Sequence, residues 1–507
     1  TSAGNSIALF EAGAKKVILG GSISGSAAST GSFGRLHING GVLKLDTNSR
    51  ISLSNNDSNS YNTVFGYSAF NDSSNDASDR NTAIGYDAMG IGTISAANDN
   101  VAVGAYALSD ITSGNTNTAV GSRAGESITT AYSNVAIGYQ SLAQHTTGLN
   151  NVAIGYNAMR VTGAGSTSAA SLNNVFIGKE SGGGTWTNVA SNQNVGIGSY
   201  ALDGAMAGAL DNVAVGYNAL SAITTGDSNV AVGSSAGVAL TTGIKSVAIG
   251  DSALATEDTG YWNTAVGFEA LKDLNYDGAG NNVAIGSYSA ANLTTGINSV
   301  AIGHLSLGTH TTGDRNIVIG VGAMADTDVG STAQDSDDNV FIGYYAGGGT
   351  WLNNKSEFNV AIGNFTMDGA LNAANHNIAL GYKALSATSY EGDYNIAIGS
   401  EAATQMTDQT ANVAIGHQAL SGSNSGESYN VAIGHNAMKT LDGSGHDNNI
   451  AIGAYAMDDT GTTGGTENIF IGKTAGGGTW ATAASSYNVA IGNYAMDAAL
   501  NGALRNV

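Results

Sequence analysis

The chain has 507 residues, 73 glycines, no proline, no cysteine and a formal net charge of −22 at neutral pH. Without cysteine there is no disulfide framework and no thiolate metal centre. An acidic chain in which only 11% of residues are charged argues against nucleic acid or anionic membrane as a partner, and no stretch is apolar enough to span a bilayer.

Residues 1–60 carry no repeat. Ser6–Phe10, Lys16–Leu19, Arg35–Ile38, Val42–Leu45 and Arg50–Leu53 read as short strands between Gly-, Ser- and Asn-rich turns, a β-rich shoulder or linker. From residue 61 to 507 one pentapeptide organises the chain. Asn-Val-Ala-Ile-Gly stands complete at Asn134–Gly138, Asn151–Gly155, Asn359–Gly363, Asn412–Gly416, Asn430–Gly434 and Asn488–Gly492. With its variants it occurs 24 times, its closing glycines 17 to 23 residues apart. A short fixed period over most of a chain specifies stacked repeats rather than separate globular domains.

Position one is Asn except at Ser246 and Ser299, positions two and four are mostly Val or Ile, and position three is mostly Ala. Residues two apart on a strand share a face. The pentapeptide therefore predicts a short strand with a Val/Ile face and an Ala face, between Asn and Gly corners that tolerate positive φ. Small-then-large pairs three and four residues after the Gly, such as Ala107-Leu108 and Ala419-Leu420, predict a second, shorter strand. Polar turns follow, often Thr-Thr-Gly. No long apolar stripe has helical spacing. The expected fold is all-β, a parallel β-solenoid (β-roll) of about 24 short coils, roughly 115 Å long at about 4.8 Å per coil.

The Val/Ile face is expected inside the coil, so that Ile137→Asp or Ile154→Asp would bury an unpaired charge. That leaves the alanines, Ala136, Ala153, Ala414 and Ala432 among them, as a row of methyls facing another surface. Three coils carry Phe at the Ala position (Phe176, Phe341, Phe470), each followed by Gly-Gly-Gly-Thr-Trp. A ring in place of a methyl is expected to need neighbours without side chains. The simplest cover for the Ala face is the same row on sister chains, with the Phe residues as plugs on a common axis.

Few residues invite a chemical role. Trp186, Trp351 and Trp480 are candidate glycan-stacking platforms, set against a plain role in covering glycine-rich corners. Tyr67 with Tyr86, and Tyr139 with Tyr156, are expected to stack between coils. His417 and His435 occupy equivalent places, but no acidic partner completes a metal site. Asp326, Asp328, Asp335, Asp337 and Asp338 suit a solvated loop better than calcium, since the equivalent turn 161–173 has no acid. No nucleophile, base and orienter assemble from the pattern, and the turns are too short to wall a deep pocket. No enzyme activity, cofactor, catalytic residue or metal ligand is expected.

The pentapeptide is similar to the head repeat of YadA-type trimeric autotransporter adhesins, although the period of 17 or more departs from the about 14 of that family. Asn-Thr-Ala-Val-Gly, Gly-Tyr-Asn-Ala-Leu and the Thr-Thr-Gly spacers look more like bacteriophage tail-fibre proteins, and Ile23–Arg35 resembles linkers in such fibres. The resemblance covers residues 62–507. It implies a parallel homotrimer, with Phe176, Phe341 and Phe470 near a threefold axis. It also implies a structural role, as the shaft of a phage tail fibre or similar virion appendage presenting a host-binding tip. A host cell-surface glycan or receptor would then be met through parts outside this sequence, which reads as a fragment because Arg505-Asn506-Val507 begins another repeat. The alternative is a bacterial trimeric surface adhesin, extracellular on the cell surface, whose roll itself binds host or matrix.

Overall fold

The computed structural model describes residues 62–70, 78–162, 170–187, 189–326, 335–423, 426–441, 445–461, 464–478, 483–498, 500 and 502–507. The chain divides into two units, Thr1–Ser52 and Leu53–Val507, and only the second contains described residues. The expected shoulder over 1–60 lies outside them.

The repeat unit is a parallel β-solenoid. Every pentapeptide contributes a three-residue strand, and these form one 24-stranded sheet. Successive strands pair in parallel and in register: Val135 with Val152, Ala136 with Ala153, Ile137 with Ile154. Val135 N donates to Asn151 O at 2.8 Å, and Gly138 N donates to Val120 O at 2.8 Å. A strand of three residues has no independent stability, so each coil is held by the coils on either side. Among the described residues there is no α-helix.

One of the two corners works differently from the sequence expectation. The Asn of position one does not take positive φ; the residue before it does, as at Ser133 (φ 58°) and Asn150 (φ 57°). The Asn side chains form a buried ladder. Asn134 Oδ1 accepts from Asn151 N at 2.9 Å and from Asn151 Nδ2 at 3.2 Å, while Asn134 Nδ2 donates to Gly148 O at 3.0 Å. One amide thus satisfies a strand start, a neighbouring amide and a turn carbonyl, all cut off from water. The closing glycines do take positive φ, from 125° to 144°. A Cβ at Gly138 would sit 2.4 Å from Gly155 O, so close stacking excludes any side chain there.

Ser246 interrupts the ladder. Its shorter side chain accepts from Asn263 N only at 3.4 Å, and Asn263 Nδ2 is left without a hydrogen-bond partner. Ser246→Asn should therefore stabilise the solenoid by about 1 kcal/mol, the typical net value of a restored buried hydrogen bond. Denaturant unfolding of the variant checks this; a lower midpoint would count against the ladder as the reason for Asn.

The faces of the strand are the reverse of the expectation. Ala136 is 1% exposed and Ile137 is 37% exposed. Ala136, Ala153, Ala414 and Ala432 are all buried inside their own coil, in a core with Leu142, Met159, Leu420 and Met438. Their assignment to an intermolecular axis is thus corrected. The coil is thin: its sheet side must stay small because Leu or Met fills the space opposite. The β-branched residues stand outside, half-buried only by one another. Ile137→Asp or Ile154→Asp would consequently not bury a charge within the coil.

The segment after the Gly is no strand. It is a run of turns in which the second and fourth residues are left-handed, as at Gln140 and Leu142 (φ 53° each). This winding points the fourth residue inward. Further on, an aliphatic residue that the repeat reading passed over enters the core: Ile111, Ile128, Ile223, Leu240, Leu274 and Leu293. Its partner is the glycine of Thr-Thr-Gly. A Cβ on Gly226, Gly243 or Gly296 would lie 2.6, 2.6 or 2.5 Å from the end of Ile223, Leu240 or Leu293. That glycine belongs to the core, not to a solvent turn.

Candidate functional site

The Phe coils are interior structures. Phe176 and Phe341 are fully buried within their own coils, and so is Phe470. The expectation that they plug a threefold axis is overturned: position three points inward in these coils as in all others. The rings are what the glycines make room for. A Cβ on Gly182 would approach Phe176 Cδ1 to 2.7 Å, and one on Gly196, at position three of the next coil, to 2.6 Å. Gly347 stands in the same relation to Phe341, and Gly476 to Phe470.

Trp186 and Trp351 are also fully buried, which removes them as glycan-stacking platforms. Each packs on the Phe of its coil, Trp186 on Phe176 with ring centroids 5.8 Å apart and Trp351 on Phe341 at 5.7 Å. Trp351 Nε1 donates to Gly347 O at 2.9 Å. Trp480 lies outside the described residues. Only the first glycine of each triplet makes room for the ring; the third, Gly184 or Gly349, is bare because a Cβ there would lie 2.2 or 2.3 Å from a carbonyl of the next coil, Asp203 O or Asp368 O.

Polar residues replace the inner aliphatic in several coils, Thr162 and Ser423 among them. His145 and His310 stand where neighbours carry Ile or Leu, and Glu257 does the same; all three are buried. His145 Nε2 lies 3.1 Å from Asn151 Nδ2, and its Nδ1 lies 3.1 Å from Thr162 Oγ1. Burial lowers the pKa of His145 and of His310 from 6.5 to about 4. The Glu257 carboxyl is pushed up by burial and held by Gly260 N at 2.7 Å.

A pH dependence follows. Between 6.5 and about 4 the unfolded chain binds a proton at each imidazole that the folded chain refuses. Stability should fall as pH drops through that window and level off below it, by on the order of 3 kcal/mol per histidine at most. His145→Leu with His310→Leu, matching Leu240 and Leu293, should flatten this part of the stability–pH curve. An unchanged slope would show that these imidazoles do not titrate as described.

On the outside, rings follow the closing glycine in a column. Tyr67 stacks on Tyr86 at 5.6 Å and Tyr139 on Tyr156 at 5.4 Å, as expected from their spacing. His417 and His435 are stacked, with centroids 5.1 Å apart and planes 16° apart, and His435 meets Tyr455 edge-on at 5.2 Å. Parallel rings do not converge their nitrogens on one ion. Among the described residues no group of three or more His, Asp or Glu is arranged to hold a metal.

The acidic loop is committed to structure. Asp338 pairs with Arg315 (Oδ1 to Nε 2.7 Å), Asp337 accepts from Asp314 N at 2.6 Å, Asp335 accepts from Thr312, and Asp326 accepts from Thr350. Asp328 lies outside the described residues.

Fold and surface together define a parallel β-solenoid protein with a buried interior and a continuous, largely apolar sheet face. No family model matches the chain, and no curated protein matches it in sequence.

Proposed function

We propose that this chain is a structural fibre protein, the shaft of a phage tail fibre or similar virion appendage, assembled as a parallel homotrimer. One observation carries the reading. The outer face of the 24-stranded sheet is a file of Val, Ile and Thr broken only by Phe65 and Leu380, with Ile137, Val232, Ile249, Ile285 and Ile362 between 37% and 41% exposed. Two such side chains per strand leave on the order of 2,000 Å² of apolar surface, beyond the few hundred Å² usual on a monomer and in the range of obligate interfaces. Sister chains related by a rotation axis would cover it, β-branched side chain against β-branched side chain. The proposed contact is therefore Val and Ile, not Ala and Phe.

Ile197→Glu, Ile249→Glu and Ile285→Glu together test it. Each position is half-exposed in the single coil, so the fold should persist while assembly fails. Sedimentation equilibrium should give three times 50.6 kDa for the parent and a monomer for the triple variant. A parent of monomeric mass would overturn the assembly and remove the main support for a fibre.

The second reading is a surface adhesin whose roll itself binds. The exposed ring column, with Tyr344 against Phe365 and Phe365 against Tyr382, favours it, because exposed aromatic rings can meet a partner as well as stack between coils.

A further inference from the structure

The apolar file repeats at every coil, so sliding a sister chain along it by one coil would change few contacts. Register has to be set by the residues that border the file. Two columns do so. One stands just before the Asn of each coil: Arg80 pairs with Asp99, Thr116 bonds Ser133, and Phe358, His376 and Tyr394 stack at 4.9 Å. The other follows the closing glycine, with Tyr139 on Tyr156 and His417 on His435. Residues two apart along a strand share a face, so the columns flank the outer Val and Ile side chains, one at each edge.

Most charges of the first column are matched within the chain. Arg80 pairs with Asp99, Arg315 with Asp338, and Arg505 lies over the Tyr487 ring at 5.9 Å. Asp211, Lys245 and Glu467 are exposed and form no ion pair among the described residues. At the far edge of the same three coils stand Tyr217, Asp251 and Lys473. Each complements its own level: a phenol for a carboxylate, a carboxylate for an ammonium, an ammonium for a carboxylate. The extended backbone sets the two edges up to about 20 Å apart, too far for contact within one chain.

Around a rotation axis parallel to the solenoid, the first edge of one face borders the second edge of the next. We propose that these edges set the register of the homotrimer: Lys245 of one chain meets Asp251 of the next, and Glu467 meets Lys473, with the chains parallel and unstaggered. The inference rests on the homotrimer reading and adds the alignment within it. In this register like charges meet at no level. A slip of one coil either way sets Lys245 against Phe268 or Ser234, and Glu467 against Asn493 or Ala454, so both ion pairs are lost. The coil after Lys245 agrees, since Trp262, 48% exposed, then meets Phe268, 42% exposed. An antiparallel arrangement would bring like edges together instead. Exposed ion pairs of this kind add little affinity; their effect is on alignment.

The chain has no cysteine, so introduced thiols report contacts between chains directly. Lys245→Cys combined with Asp251→Cys, treated with a short bis-maleimide and then denatured, should give a covalent trimer. Glu467→Cys combined with Lys473→Cys should do the same. Neither Lys245→Cys nor Asp251→Cys alone should link chains, because equivalent edges do not face each other. Lys245→Cys with Phe268→Cys, and Lys245→Cys with Ser234→Cys, report a slip of one coil and should link more slowly. All these side chains are exposed, so the unlinked variants should sediment like the parent. A trimeric parent whose variants link faster through a slipped pair, through a single substitution, or not at all overturns the register and leaves the homotrimer standing. A monomeric parent removes both.

Discussion

Ala231→Asp should open the solenoid around its coil at a cost of about 3–5 kcal/mol, the range for an unpaired charge in a protein interior. Ala231 is fully buried and lies between Ala214 and Ala248 in the sheet. A carboxylate there meets neither water nor a cation. The next residue is the control: Val232 is 37% exposed, and Val232→Asp should leave the coil closed while interfering with association through the outer face. Hydrogen exchange at the flanking strands reads local opening, and denaturant unfolding reads the total. If Ala231→Asp unfolds like the parent while Val232→Asp opens the coil, the faces described above are reversed.

The second large effect concerns the Phe coils. Phe176→Ala should cost about 3–5 kcal/mol, because a buried ring is lost and Trp186 loses its partner. Gly196→Ala alone should cost about 1–3 kcal/mol, since its methyl enters the space of the Phe176 ring. Together they restore the ordinary Ala at position three in both coils and fill part of the cavity. The double variant should be more stable than the sum of the singles by at least about 1 kcal/mol. Strict additivity would mean that ring and glycine are not a matched pair.

Much of this molecule is legible in the sequence because its period is. The recurrence of Asn-Val-Ala-Ile-Gly specifies stacked parallel strands, and the spacing of Tyr67 and Tyr86 places their rings one above the other. The pairing of each Phe with the first of its three glycines is likewise a steric relation between residue sizes, and sizes can be read without coordinates; the other two glycines answer to backbone and side chains elsewhere. The inner aliphatic at Ile111, Ile223 and Leu240 was legible too, as a constant offset from the closing glycine. It is obscured because His145, Glu257, His310 and other polar residues share its place.

The direction in which a side chain points was not legible. Alternation along a strand separates Val and Ile from Ala but does not say which set lies inside. The usual rule, larger apolar residues inward, fails because the coil is thin. Its second side is wound by alternating left-handed residues that aim Leu142 or Met159 at the sheet, leaving room there only for a methyl. Trp186 and Trp351, which the sequence offers equally well as surface platforms, are buried against Phe176 and Phe341, and Asn is not a corner residue but part of a hydrogen-bonded file. Sequence period determined what stacks on what; coil thickness decided what faces in and what is left to meet a partner.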